Sequence, residues 1–145
     1  MQIRVIVVGK IKETFTKEWI AEYQKRLRKY CRVEVFEIKE EITLQKEAEK
    51  ILDKLKPGEK VIALALQGTL LDSETFAHNL QHELLAKNIV FVIGSDKGLD
   101  GRVLKEADLV LSFGAMTFSH QLARVVLFEQ LYRAFTIMKG EPYHK

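Results

Sequence analysis

Apolar runs and apolar stripes at helical spacing take turns along this chain. Residues 3–8 form a short, largely β-branched run ending at Gly9, which predicts a buried strand. Trp19, Ile20, Tyr23 and Leu27 recur at helical spacing and predict an amphipathic helix over 16–30. Residues 33–38 alternate apolar and polar, as a half-buried strand does. Leu44, Ala48, Ile51, Leu52 and Leu55 mark a second helix, stopped by Pro57-Gly58.

Residues 61–66 are apolar throughout, the pattern of a strand covered on both faces. Gln67-Gly68 predicts a turn after it, and Ser73 an N-cap for a helix carrying Phe76, Leu80 and Leu84 on its inner side. Residues 89–93 form another fully apolar strand, followed by Gly94-Ser95-Asp96-Lys97-Gly98. Asp100 caps a short helix to 107, and 109–112 form one more short strand. A loop over 113–118 leads into a long helix from 119 to 138 that ends at Gly140.

Strand and helix thus alternate five times, which predicts an α/β fold: a mostly parallel sheet with helices on both faces. In such sheets ligands sit beyond the carboxyl ends of the strands. The loops after Leu66, Ile93 and Ser112 are therefore where chemistry is expected.

Length and composition narrow the class. The 145 residues suit one domain, 1–145, with no internal repeat or dividing linker. The lone Cys31 excludes an internal disulfide and fits a reducing compartment. The first ten residues lack the basic stretch and long apolar core of a secretion signal, and no segment approaches the roughly 18 apolar residues of a membrane span. A soluble cytoplasmic protein is expected. Net charge is +3, but residues 1–32 hold nine cations against three carboxylates, a local balance of +6. That density suits phosphate contacts as well as an ordinary solvated helix face.

Several segments carry candidate chemistry. The two glycines of 94–98 let a backbone pass close to a ligand, though their spacing is neither the dinucleotide fingerprint nor the P-loop. Phe113, Gly114, Ala115, Met116, Thr117 and Phe118 make a loop rich in aromatic and sulfur groups, suited to wrap a flat apolar ring such as adenine. It suits plain packing equally. His120 falls in the first turn of the last helix, where the dipole disfavours its charged form. Arg124 and Arg133 interrupt that helix's apolar surface, and Glu129 stands four residues before Arg133, the spacing of an ion pair. His78 and His82 lie one turn apart, with neither the glutamate of a metalloprotease motif nor a third ligand, so no metal is expected. Nothing has the pattern of a hydrolase. The tail, Gly140-Glu141-Pro142-Tyr143-His144-Lys145, is unusually rich in functional groups for a chain end.

Together these blocks resemble the SPOUT class of trefoil-knotted methyltransferases. Within it the chain is similar to the small ribosomal RNA large subunit methyltransferases that modify N3 of a pseudouridine in 23S rRNA. The resemblance runs from end to end. It is strongest in Val90-Phe91-Val92-Ile93-Gly94, Leu111-Ser112-Phe113, Met116-Thr117-Phe118, His120-Gln121, Arg124-Val125-Val126-Leu127, Glu129-Gln130, Leu131-Tyr132-Arg133-Ala134-Phe135 and Tyr143-His144-Lys145. It implies a C-terminal knot, a homodimer, S-adenosylmethionine as cofactor and 23S rRNA as substrate; a dimer of chains this short is expected to need the surface of the assembled ribosome to locate its nucleotide. It implies that Leu64 packs on the cofactor, that the Gly94 backbone touches it, and that 113–118 surround the adenine. The tail of one subunit is expected to complete the site of the other. This chain departs from the family at Ser95, often a second glycine, at Gly114-Ala115, and at Ser119, usually proline.

From this resemblance Arg133, Tyr143 and His144 are expected to position the target base. His144, or alternatively His120, is expected to accept its proton. Arg124, Lys10, Lys25, Arg26 and Lys145 are expected at RNA. The rivals are a knotted tRNA methyltransferase, a non-enzymatic nucleotide- or RNA-binding module, and a flavodoxin-like flavin protein.

Overall fold

The computed structural model describes residues 2–145; Met1, the first residue of the domain expected over 1–145, lies outside the described residues. Ten elements follow one another: β1 (Gln2–Val8), α1 (Thr14–Leu27), β2 (Arg32–Ile38), α2 (Leu44–Lys54), β3 (Lys60–Leu70), α3 (Ser73–Leu84), β4 (Ile89–Ile93), α4 (Gly101–Glu106), β5 (Leu109–Ser112) and α5 (His120–Met138). The five strands form one sheet in the order β2-β1-β4-β3-β5, every pairing parallel. The expected α/β fold, a parallel sheet with helices on both faces, is the one observed.

Alternation along β1 divides the core in two. Ile3, Val5 and Val7 turn to a face covered by α1, α3 and α5, through Ile20, Leu27, Phe76, Leu80, Phe128 and Leu131. Ile6 and Val8 turn to the other face, where α2 and α4 contribute Ala48, Ile51 and Val103. This is the period of two that sends successive strand residues to opposite faces. Arg4 shares that second face. It is 3% exposed, held by Glu59 at 2.7 Å and by the Lys54 carbonyl at 2.8 Å. One of the nine N-terminal cations is therefore a core ion pair and lies outside any surface patch.

Three local expectations change. The chain does not leave the sheet at Gln67-Gly68. Leu64 and Thr69 both pair with Leu111, so four residues loop outward and the strand resumes to Leu70. Gly68 permits this: a β-carbon there would lie 2.6 Å from the Val110 carbonyl oxygen. Asp72, not Ser73, caps α3, accepting the Thr75 amide at 2.7 Å. Trp19 is half exposed, and the inner stripe of α1 is Thr16, Ile20 and Leu27.

Cys31 lies buried beneath α1, and burial pushes its thiol up to about 11. Thiol labelling of the native protein at pH 8 is expected to run about a hundredfold slower than for a free cysteine, because the thiolate is the reactive form. Urea should restore ordinary reactivity, and fast native labelling would contradict this packing.

Candidate functional site

The strand order decides where a ligand fits. β3 feeds α3 on one face and its neighbour β4 feeds α4 on the other. The connections part there, which opens a crevice beyond their carboxyl ends. A cleft of about 550 Å³ occupies it. Leu64, Gly94, Phe113, Gly114, Met116, Thr117 and Phe118 all line it. Of the positions expected at the cofactor only Ala115 is not in the lining; it is exposed.

Local chemistry shapes the two loops. After β4 the chain turns back so tightly that a β-carbon on Gly94 would stand 2.3 Å from the Gly98 carbonyl oxygen. Gly98 itself has φ +84 and donates its amide to the Ser95 carbonyl at 2.9 Å. After β5, Ser112 Oγ accepts the Gly114 amide at 3.2 Å, and Gly114 takes φ +134. Ser119 then caps α5 by accepting the Leu122 amide at 3.2 Å. Serine thus supplies an N-cap at the position where the resemblance led us to expect proline.

The structure also adds residues that periodicity could not reveal. Glu47 sits on the inner side of α2 at 2% exposure and accepts a hydrogen bond from Ser95 Oγ at 2.8 Å. The Lys97 amide donates to the same hydroxyl at 3.3 Å. The departure at Ser95 is therefore matched by a buried carboxylate that pins the loop to α2. On the other side Asp96 Oδ1 lies 2.7 Å from His120 Nδ1. That contact holds the Asp96 carboxyl below the usual carboxylate range.

The tail forms a second group. Arg133 donates to Glu129 at 2.6 and 3.0 Å, the intrahelical pair that the spacing suggested. Tyr143 donates to the same carboxylate at 3.1 Å, and Arg133 Nη1 lies 3.0 Å from His144 Nδ1. Burial, then the hydrogen bond with Tyr23 and the charge of Glu129, pushes the Tyr143 hydroxyl well above the ordinary tyrosine range. Tyr143 is thus a donor at neutral pH. His144 lines a cleft of about 590 Å³ that shares Leu111, Phe113 and Phe118 with the first. His120 belongs to the first cleft and stands apart from the tail group.

The cations expected at RNA divide. Lys10, Lys25 and Lys145 are exposed. Arg26 is exposed but pairs with Glu22 at 3.0 Å, with its guanidinium 5.5 Å from the ring centres of Tyr23 and Tyr132. Arg124 is 1% exposed, enclosed by its own chain and turned toward the ends of β1 and β2. It donates to the carbonyls of Val8 and Gly9 at 3.0 and 2.5 Å.

The chain is similar to known proteins over its full length. The family described as "Predicted SPOUT methyltransferase" matches residues 1–144. A protein named ribosomal RNA large subunit methyltransferase H from Carboxydothermus hydrogenoformans is 47% identical over 159 aligned positions, covering all of both chains. Proteins of the same name from Streptococcus agalactiae and Leuconostoc citreum are each 43% identical, again over full length. A solved "probable methylase family protein" from Haemophilus influenzae shares the fold at a TM-score of 0.59 and 14% identity, over 99% of this chain and 70% of that one.

Proposed function

This chain belongs to the SPOUT methyltransferase family, and on that footing we propose that it methylates N3 of a pseudouridine in 23S rRNA, with S-adenosylmethionine as donor. One observation carries the cofactor assignment: seven positions expected at the cofactor, from three separate segments, line one cleft. Full-length relatives at 43–47% identity, all named for large-subunit rRNA, support the substrate.

The cleft suits this cofactor. Leu64, Phe113 and Phe118 offer apolar walls to an adenine, while the backbones of both loops offer groups for its edge. Asp96 and Lys97 at the rim match the two charges of the methionine portion. Bound there, S-adenosylmethionine supplies an electrophilic methyl on a sulfonium and departs as a neutral thioether. What remains for the protein is to hold the target base in line and to take its imide proton. Arg133 and the tail residues Tyr143, His144 and Lys145 hold the base and its backbone, within a homodimer in which one subunit's tail reaches the other's cleft. Phe118 at 36% and Leu122 at 39% exposure, beside the cleft, are apolar groups that a partner would cover. The family's knotted threading belongs to the same proposal, as do action on the assembled ribosome and a cytoplasmic location. No helix among the described residues is long and apolar enough to cross a membrane.

The test uses cofactor carrying a labelled methyl group, with ribosomes from a strain lacking the modification and, separately, bulk tRNA. Label should enter 23S rRNA and not tRNA. Label in tRNA alone would favour the knotted tRNA methyltransferase. Cofactor binding without transfer to either would favour a binding module.

A further inference from the structure

Two imidazoles stand near the proposed site, and their surroundings differ. His144 Nδ1 faces Arg133 Nη1 at 3.0 Å. A guanidinium only donates, so that nitrogen spends its lone pair on Arg133 and the ring proton sits on Nε2, 3.5 Å from Glu74. His144 therefore has no ready acceptor nitrogen. His120 is arranged the other way. Its Nδ1 meets the Asp96 carboxylate at 2.7 Å, and that carboxyl is held below the usual range by the contact itself. An ionised carboxylate only accepts, so Nδ1 carries the proton and Nε2 presents the lone pair. Nε2 points over Gly9, where a β-carbon would lie only 3.4 Å away. No hydrogen bond among the described residues engages it.

A further cleft, of about 760 Å³, opens at that nitrogen. Lys10, Lys12 and Lys39 line it together with Glu37, Glu40 and Gln121, and it shares Asp96 and His120 with the cofactor cleft. The Asp96–His120 pair is thus the wall between the two spaces. The charged groups around His120 are Asp96 and Lys97 from the loop after β4, Glu37, Lys39 and Glu40 from β2 and beyond, Lys10 and Lys12 after β1, and Arg124 one turn along α5.

We propose that His120 is the proton acceptor of the transfer, that Asp96 is the positioning residue fixing its tautomer, and that the RNA flanking the target base runs along the cleft beside Lys10, Lys12 and Lys39. The proposal rests on the methyltransferase reading and deepens it. The imide N–H bond breaks, its electron pair stays on nitrogen to bond the methyl carbon as the bond from that carbon to the sulfonium sulfur breaks with its pair left on sulfur, and the proton passes to His120 Nε2. Asp96 balances the resulting imidazolium, which later releases its proton to water. Lys10, Lys12 and Lys39 meet the phosphates flanking the target. This is the histidine–carboxylate logic in which one ring nitrogen is oriented so that the other can act as base.

Nitrogen NMR of the full-length protein, with ring-labelled histidine and no cofactor, reads the tautomer directly. The wild type should hold His120 with the proton on Nδ1, and Asp96→Asn should shift protons to Nε2. Asp96 is largely exposed, so this variant keeps the fold. Single-turnover methylation of ribosomes at saturating cofactor should slow about a hundredfold in His120→Ala and about tenfold in Asp96→Asn. His120→Ala turning over at the wild-type rate, or a wild-type ring protonated on Nε2, overturns the proposal alone. A wild type that transfers no methyl overturns the methyltransferase reading and this proposal together.

Discussion

Gly94→Ala should abolish measurable S-adenosylmethionine binding while leaving the sheet formed. The glycine is required by contact, not by a left-handed backbone. A β-carbon would stand 2.3 Å from the Gly98 oxygen, 2.7 Å from its carbonyl carbon and 3.0 Å from Leu99 Cδ2. The two closest atoms are backbone, so no side-chain rotation relieves the clash. The loop must open by roughly an ångström, as overpacked sites do when no side chain can give way. Opening moves Ser95 away from Glu47 and Asp96 away from His120, the two anchors of the loop. We expect affinity to fall by at least about a hundredfold, about 2.7 kcal/mol. Equilibrium dialysis with labelled cofactor reads the loss, and far-ultraviolet circular dichroism checks the fold. Gly98→Ala gives a graded comparison. Its β-carbon meets nothing within 4 Å, but its φ is +84, so the cost is conformational, about 1–2 kcal/mol. Equal binding by Gly94→Ala and wild type would mean that the loop is not at the cofactor.

Arg124→Ala should destabilise the protein by about 3–5 kcal/mol, read as a fall in the urea midpoint. The guanidinium is enclosed at 1% exposure and closes the open end of β1 by donating to the carbonyls of Val8 and Gly9, with Glu37 of β2 at 3.7 Å. Burial lowers its pKa and Glu37 opposes that, so the group stays charged at neutral pH. Truncation strips a donor from two strand-end carbonyls and leaves a void. Arg26→Ala should cost under about 0.5 kcal/mol, as exposed pairs do. An Arg124→Ala protein of wild-type stability with weakened ribosome binding would instead place this arginine at phosphate.

The sequence and the structure agree where physics is local. The fully apolar run 89–93 reads as a strand sealed on both faces, and all five of its residues are buried. Helix stops at Pro57-Gly58 and Gly140 work through backbone rules that need no distant partner. Agreement fails where a partner is remote. Gln67-Gly68 looks like a turn because nothing nearby shows that Leu111 and Ser112 will recapture the chain. Glu47 and Arg124 look like surface charges because their partners lie 48 and more than 110 positions away. Asp96 passes unnoticed as a loop carboxylate until α5 brings His120 against it. The cofactor loops were legible as glycine and aromatic patterns, yet their meaning came from the order of many blocks together rather than from spacing. The tail was legible as unusual. Its docking on Glu129 was not, since the same carboxylate already had a sufficient partner in Arg133.

Amide hydrogen exchange with and without S-adenosylmethionine tests the central assignment most directly. The cofactor should slow exchange in 94–98 and 113–119 and leave the outer surfaces of α1 and α2 unchanged. No slowing in those two loops, or slowing confined to another part of the chain, would contradict the site described above.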